Sequence, residues 1–396
     1  MKDKTNHVVK SMSKELQLLL ELLKQPIHSE SRVGLKKGEY HDIDWDHFIE
    51  LALHHRVYSF IYPKLKEKGW DVIPTHVIQK FYHRFKENTV QMLRLSAEMI
   101  RLKELFDQNE IRNLFLKGPI LAQELYGDIS LRTSCDLDVL VPIQCLEVAE
   151  MLLLELGYVK NDYIESVLND WKWRHHHITF FHPAKQIKVE IHWRLHPGPR
   201  KEPTFEELWK RKQEILLTNY SIYTLGCEDL FVFLVSHGAR HGWSRLRWLV
   251  DISQIVKQNL NWNKIEKLML KYQVLHLGGQ ALILMSLLLE MNLNNEMRGL
   301  IVSRRSEELA NATRFYTNQT INLHADTLPK EVIVYHRQYL LALMSKRQKM
   351  LFVMSCLYPY PIDAKTLPLP KFLHFLYFPL RPFLCCWRKI KKSDAS

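Results

Sequence analysis

Residues 112–141 read RNLFLKGPILAQELYGDISLRTSCDLDVLV, and their reading decides the fold. Arg112-Asn113-Leu114-Phe115-Leu116 is a short apolar run stopped by Lys117-Gly118-Pro119. Proline suits the first turn of a helix, here Pro119 to about Tyr126. A loop, Gly127–Ser134, carries Arg132. Cys135-Asp136-Leu137-Asp138-Val139-Leu140-Val141 then alternates and is rich in branched residues, the pattern of a strand, and Pro142 ends it. A period of two puts Asp136 and Asp138 on one face of that strand, with Leu137 and Val139 on the other.

The pattern extends downstream. A helix is predicted from Gln144 to Leu156, closed by Gly157. Two strands follow, His177–His182 and Ile187–Trp193, separated by a Pro-Ala-Lys-Gln turn. Helical periodicity dominates on both sides of this segment. Upstream it covers residues 11–28, with Leu16, Leu19, Leu20 and Leu23 on one face, and Thr75 to about Gln108. Downstream it covers Glu228–Gln258 with a bend at Gly242, then Asn263–Asn292 and Arg304–Thr320. The expected class is α+β, mostly helical, with a small mixed-sheet core framed by helical regions. The expected divisions are an N-terminal helical region 1–109, a catalytic core 110–202, a helical domain 203–350 and a Pro/aromatic-rich basic tail 351–396.

Composition narrows the function classes. The 396 residues include 46% hydrophobic and 25% charged side chains, the ordinary globular balance. Gly is 13 of 396, below the usual ~7%, so collagen-like and low-complexity readings are excluded. The six Cys are irregularly spaced and form no CxxC, which argues against a disulfide framework and a zinc ribbon. The start, MKDKTNHVVKSMSKE, has no apolar core of signal-peptide type, and a cytoplasmic location is expected. A net charge of +12 favours anionic partners without choosing among them. No helix-turn-helix, zinc finger or RNP-like motif points to specific nucleic acid. The 18 uncharged residues between Lys271 and Glu290 are almost long enough to span a bilayer. Gln273, His276, Gly278, Gly279 and Gln280 interrupt them, so a buried helix is expected.

The carboxylates carry the chemistry. Two acids side by side on a strand repel each other unless a cation sits between them. Hard oxygen ligands suit Mg²⁺ or Mn²⁺, especially when phosphates complete the shell. Glu190, alternating with Val189 and Ile191 on its own strand, offers a third acid. Asp42 and Asp44 in HDIDWD imitate the pattern, but no strand surrounds them. Asp44 as the N-cap of a helix from Trp45 to about Leu53 explains them better.

Three sets of residues together resemble the polymerase-beta-like nucleotidyltransferase superfamily, and more closely its bacterial uncharacterised nucleotidyltransferase family. They are Phe115–Gly118 with Leu125-Tyr126-Gly127 and Arg132–Val141, Val189–Trp193, and His237–Trp248 (HGARHGWSRLRW). The likeness covers roughly residues 40–260. It implies a metal-dependent enzyme that moves a nucleoside monophosphate from an NTP to an acceptor hydroxyl on a small molecule, peptide or protein. Asp136, Asp138 and Glu190 would be the catalytic and metal-holding acids. Lys117, Gly118, Arg132 and Ser134 would bind the nucleotide. A setting in bacterial peptide or polysaccharide biosynthesis is an association the family suggests. The superfamily holds the triphosphate with Gly-Ser or Gly-Gly after the first strand. This chain has Gly118-Pro119, and Pro offers no N–H. Lys117 is the expected substitute. A chain that binds nucleotide as a scaffold without catalysis is the alternative reading.

The remaining residues have competing explanations. Arg132 either neutralises phosphate charge or pairs with Asp128 on the surface. His192 shares the face of Glu190 and either orients a substrate group or packs in the core. In His175-His176-His177, consecutive side chains diverge, so all three cannot serve one ion. His237 and His241 have the i,i+4 spacing of zinc ligands but no third ligand. With Trp243 and Arg247 they are the candidate acceptor pocket, although Arg247 and Asp251 have the spacing of a helix-surface pair. The aromatic tail, ending in Arg388–Lys392, fits a membrane-surface anchor in composition. Pro379 and Pro382 are expected to break any long helix there, which favours an arm packed back on the body.

Overall fold

A computed structural model describes residues 12–24, 42–67, 73–161, 164–301, 303–323, 325 and 327–393. Five strands form one mixed sheet in the order β1-β2-β5-β4-β3. They are β1 (Leu114–Phe115), β2 (Asp136–Leu140), β3 (Val159–Lys160), β4 (His177–His182) and β5 (Ile187–His192). β2 and β5 are parallel, and the other neighbours are antiparallel. The rest of the described chain is mostly helical, as the periodicity predicts.

Helix Thr75–Gln108 buries Met92, Leu95, Met99, Leu102 and Phe106 against Leu137, Val139, Val189 and Ile191, the apolar face of β2 and β5. That face is closed, so the acids must look the other way. Helices Cys227–Arg240 and Leu246–Ile255 stand on that side. Their apolar residues join those of the N-terminal helices in one core that runs from Met12 to Leu343. Asp44 caps helix Trp45–His54 by accepting from the N–H groups of Asp46 and His47, which accounts for the HDIDWD pattern without a metal.

Several long helices are shorter than periodicity suggests. Glu228–Gln258 is two helices, parted where Gly242 and Trp243 both take positive φ, +61° and +53°. Gly238 permits the turn, because a Cβ there would lie 2.5 Å from the Trp243 ring. Asn263–Asn292 likewise divides into Trp262–Lys271 and Leu275–Leu288 beside Gln273, φ +60°. Periodicity senses burial, which continues across these breaks, and so misses the turn. Residues 213–217 and 220–224 form a hairpin, β6 and β7, inside a region read as helical. The part of the predicted 11–28 helix beyond Lys24 lies outside the described residues, as does Ser11. Leu275–Leu288 is buried, and no described helix is long and apolar enough to cross a membrane.

The tail differs most from expectation. Tyr377–Ser393 is one helix with Pro382 inside it. Pro379 falls in the first turn, where an N–H has no intrahelical acceptor, and Pro382 removes a single rung. One face folds back on the body, where Tyr377 and Leu384 pack with Val167, and within the tail Arg381 and Arg388 both bind the buried Asp363.

Candidate active site

Register assembles the acids. β2 and β5 place Asp136 opposite Lys188 and Asp138 opposite Glu190. β4, on the far side of β5, brings His177 opposite His192. All project from the face turned away from the long helix. Lys117, at the end of β1, donates to Asp138 Oδ1 at 3.2 Å. His192 Nε2 lies 3.1 Å from the same oxygen and 3.5 Å from Glu190 Oε2. Lys188 Nζ sits 2.6 Å from Glu190 Oε1 and 3.5 Å from Asp136 Oδ2. Asp138 is 1% exposed, and its Oδ2 has no partner among the described residues.

Burial and neighbours divide the titrations. Burial, and next the Asp138 charge, push Asp136 above the ordinary carboxylate range. Burial opposes the charged form of Asp138 too, but the Lys117 ammonium and the His192 hydrogen bond outweigh it and hold that carboxyl low. Glu190 is held low against burial by His192, His177 and Lys188. His192 is raised, because its bonds to Asp138 and Glu190 overcome burial.

The acids open on a cavity of about 470 Å³. Lys117, Arg132, Ser134, Asp136, Glu190, His192, His237, His241 and Arg247 all line it. Asp138 lies behind Lys117 and His192. Gly118 takes φ +81° ahead of helix Pro119–Tyr126 and sets where Lys117 points; it is not in the lining. Ser134 Oγ donates to the Asp136 carbonyl and ties the loop to the strand. Trp243 does not reach the cavity. It is fully buried against Gly238, and Trp248 stands in the wall instead, stacked on His241.

Neither of the local ion pairs set against the functional roles of Arg132 and Arg247 forms. Arg132 makes a two-pronged contact with Asp251, at 2.9 and 3.0 Å, and both side chains are buried. Asp128 instead caps the turn at Ser130. Arg247, free of Asp251, donates to the carbonyl and hydroxyl of Thr133. Sequence spacing pairs neighbours, whereas the fold joins residues 119 positions apart. Asp251→Ala should therefore cost about 3–5 kcal/mol of stability by stranding a buried guanidinium. Denaturant unfolding measures it, and a loss under about 1 kcal/mol, the range of exposed pairs, would contradict the pairing.

Sequence reasoning missed Arg56, Lys188, His176, His177, Arg240 and Arg245, all of which line the cavity. Lys188 was legible: it stands two before Glu190 on a period-two strand. Arg240 and Arg245 lie inside HGARHGWSRLRW. Arg56 follows a distant helix and carries no local signal. The cavity thus holds seven Lys and Arg against two carboxylates in its lining. Among the described residues, two clusters have metal-ligand spacing, Asp138–Glu190–His192 and His176–His177–His192, with all ligand atoms within 4.8 Å of one another. His237 and His241 belong to neither.

Adjacent parallel strands that gather acids beside a strongly cationic cavity suit a protein that binds a polyanion. Residues 41–290, well over half of the chain, match the family model described as uncharacterised nucleotidyltransferase, and the chain belongs to that family. A nucleotidyl-transfer role follows at that level. No curated protein matches the chain.

Proposed function

We propose that the chain is a metal-dependent enzyme that transfers a nucleoside monophosphate from an NTP to an acceptor hydroxyl. The observation that carries the reading is the orphaned, buried Oδ2 of Asp138 within a cluster of metal-ligand spacing. A buried carboxylate oxygen without a donor is costly, and a cation satisfies it. Asp138, Glu190 and His192 would hold the ion, with Asp136 beside them at the mouth. Two carboxylates suit Mg²⁺ or Mn²⁺, and the imidazole adds weight to Mn²⁺. When bound, such an ion neutralises phosphate charge and makes a hydroxyl more acidic.

The chain's own residues do the rest. Lys117 and Lys188 balance the acids in the free protein and are placed to turn to phosphate oxygens. Arg56, Arg245 and Arg247 make the opposite wall positive, which concentrates a polyanion in the cavity. Arg132 is neutralised by Asp251, so its role is to hold the loop that carries Ser134 and Asp136. Glu190, ionised at neutral pH, is the base for the acceptor proton, and His237, His241 and Trp248 line the acceptor side.

Incubation with Mg²⁺ or Mn²⁺, each labelled NTP and a cell extract should release pyrophosphate and label an acceptor. Glu190→Gln should lower turnover at least about 100-fold, the lower range of general-base effects, with NTP affinity within threefold of wild type. Unchanged turnover would remove Glu190 from the chemistry. The lysines already paired with acids favour one other reading, nucleotide binding without transfer. It predicts saturable metal–NTP binding with no pyrophosphate release from any extract.

A further inference from the structure

Arg200 and Arg240 share a second cavity of about 180 Å³, beside the main one. Arg240 lines both. Among the described residues neither guanidinium has a carboxylate within 4.0 Å, and the Nε of each is buried without a partner. Ser236, 2% exposed, lines the same cavity with an unpartnered hydroxyl. The acid closest in sequence, Glu202, is consumed by Arg194 and the N–H groups of Leu195 and His196. Burial pushes Arg240 down to about 10. Two half-buried like charges with idle donors are expensive unless an anion joins them. Apart from Gln348, the other walls are mostly apolar, including Leu277, Leu340 and Leu343.

We infer that this cavity binds an organic anion, a carboxylate or phosphate attached to an apolar body. Resting on the proposed transfer reaction, that anion belongs to the acceptor: its charged group meets Arg200 and Arg240, and its hydroxyl reaches back past Arg240 towards Glu190. Binding to the full chain without nucleotide or metal tests the site apart from the reaction. Calorimetry with hexanoate, hexyl phosphate and hexanol should show saturable millimolar binding of at least one anion, and at least tenfold weaker binding of hexanol. The better anion identifies the headgroup. Arg200→Gln should weaken that anion at least tenfold and leave metal–NTP affinity unchanged, and Arg200→Lys should recover part of the loss. Failure of both anions to saturate, equal binding of hexanol, or an unaffected Arg200→Gln overturns the site. Anion binding without any pyrophosphate release would leave the site standing and sink the transfer reading.

The tail carries a second, independent inference. Of the large apolar residues exposed among the described residues, about half lie between Met350 and Ile390. Phe372, Phe383, Trp387 and Ile390 are 76%, 72%, 61% and 63% exposed. Residues 346–396 hold ten Lys and Arg against Asp363 and Asp394, and Asp363 is buried between Arg381 and Arg388. Exposed aromatics mixed with positive charge suit an anionic lipid surface. A second copy would meet its own charge, and nucleic acid would leave the apolar side chains uncovered. We propose that this face lies on an anionic bilayer while Tyr377 and Leu384 hold it to the body. The full chain should float with phosphatidylcholine vesicles that contain phosphatidylglycerol, and not with phosphatidylcholine alone. Added salt should release it. The exposed pair Phe383→Ser/Trp387→Ser should cut flotation at least fivefold with unfolding unchanged. No flotation with anionic vesicles, or full flotation of the double variant, overturns the proposal and leaves an acidic protein as the remaining occupant.

Discussion

Asp138→Asn should abolish nucleotidyl transfer, by about three decades or more, in a chain that still folds. Loss of a charge that helps hold a divalent ion and its phosphates forfeits several kcal/mol in the transition state, and each ~1.4 kcal/mol is one decade of rate. Asn keeps the shape of Asp, so the packing of β2 against the long helix is untouched. The cost falls on Lys117 and His192, both of which bond to Oδ1. An amide oxygen still accepts one bond from them but no longer balances their charge, which predicts a stability loss of about 1–3 kcal/mol. His192 should also titrate lower, since one of the two carboxylates that raise it is gone. Pyrophosphate release, denaturant unfolding and the His192 titration by NMR separate the three effects. Turnover within tenfold of wild type would show that Asp138 is a structural acid, and the proposed metal role would fall with it.

How much of this was legible in the sequence depends on whether the interaction is local. Strand β2, its facing acids, helix Pro119–Tyr126 and the Asp44 cap are all set by patterns a few residues long, and they read correctly. The pairing of β2 with β5 was not legible by pattern alone. It needs a crossover from residue 140 to 187, and only that register explains why Glu190 falls beside Asp138 rather than Asp136. The partner of Arg132 was hidden for the same reason. Asp251 arrives from a helix that the break at Gly242 and Trp243 redirects, and that break depends on Gly238 accepting a tryptophan ring. Trp243 was expected in the acceptor pocket because it sits in a motif of polar and aromatic residues. Its positive φ turns it into the core, and Trp248, in the first turn of the next helix, takes the wall. The tail prolines misled because Pro379, in the first helical turn, costs no hydrogen bond and Pro382 costs only one.

Acid should destabilise the protein well above the carboxylate range. His55 is fully buried, and burial pushes it down to about 3. Its Nδ1 accepts the N–H of Leu246, a bond that protonation destroys. Burial also lowers His177 and His276 to about 4, and His196 and His237 well below the ordinary value. In the unfolded chain these five histidines titrate near ~6.5. Between that value and the folded ones the unfolded state binds more protons, so stability rises with pH across the window and is fully present above it. At pH 5 His55, His177 and His276 each cost about 2 kcal/mol. Those three together reach about 6 kcal/mol, and His196 and His237 act in the same direction, against the ~5–15 kcal/mol by which whole domains are stable. His192 works in the opposite sense: it is raised by Asp138 and Glu190, so its contribution is present below ~6.5 and fades as pH rises through its folded value. Glu124, which burial raises to about 8, and Asp136, which burial and the Asp138 charge raise, work in the same sense as His192 and offset part of the histidine loss. The urea midpoint should therefore fall from about pH 7 to pH 5, by less than the histidines alone would give. His55→Gln, which cannot gain a proton, should flatten that slope by one proton, about 1.4 kcal/mol per pH unit, at the cost of some stability at neutral pH. A midpoint that stays level down to about pH 5 would mean that these histidines are charged in the folded chain, and that the basic wall around His237 is not the dry surface its burial describes.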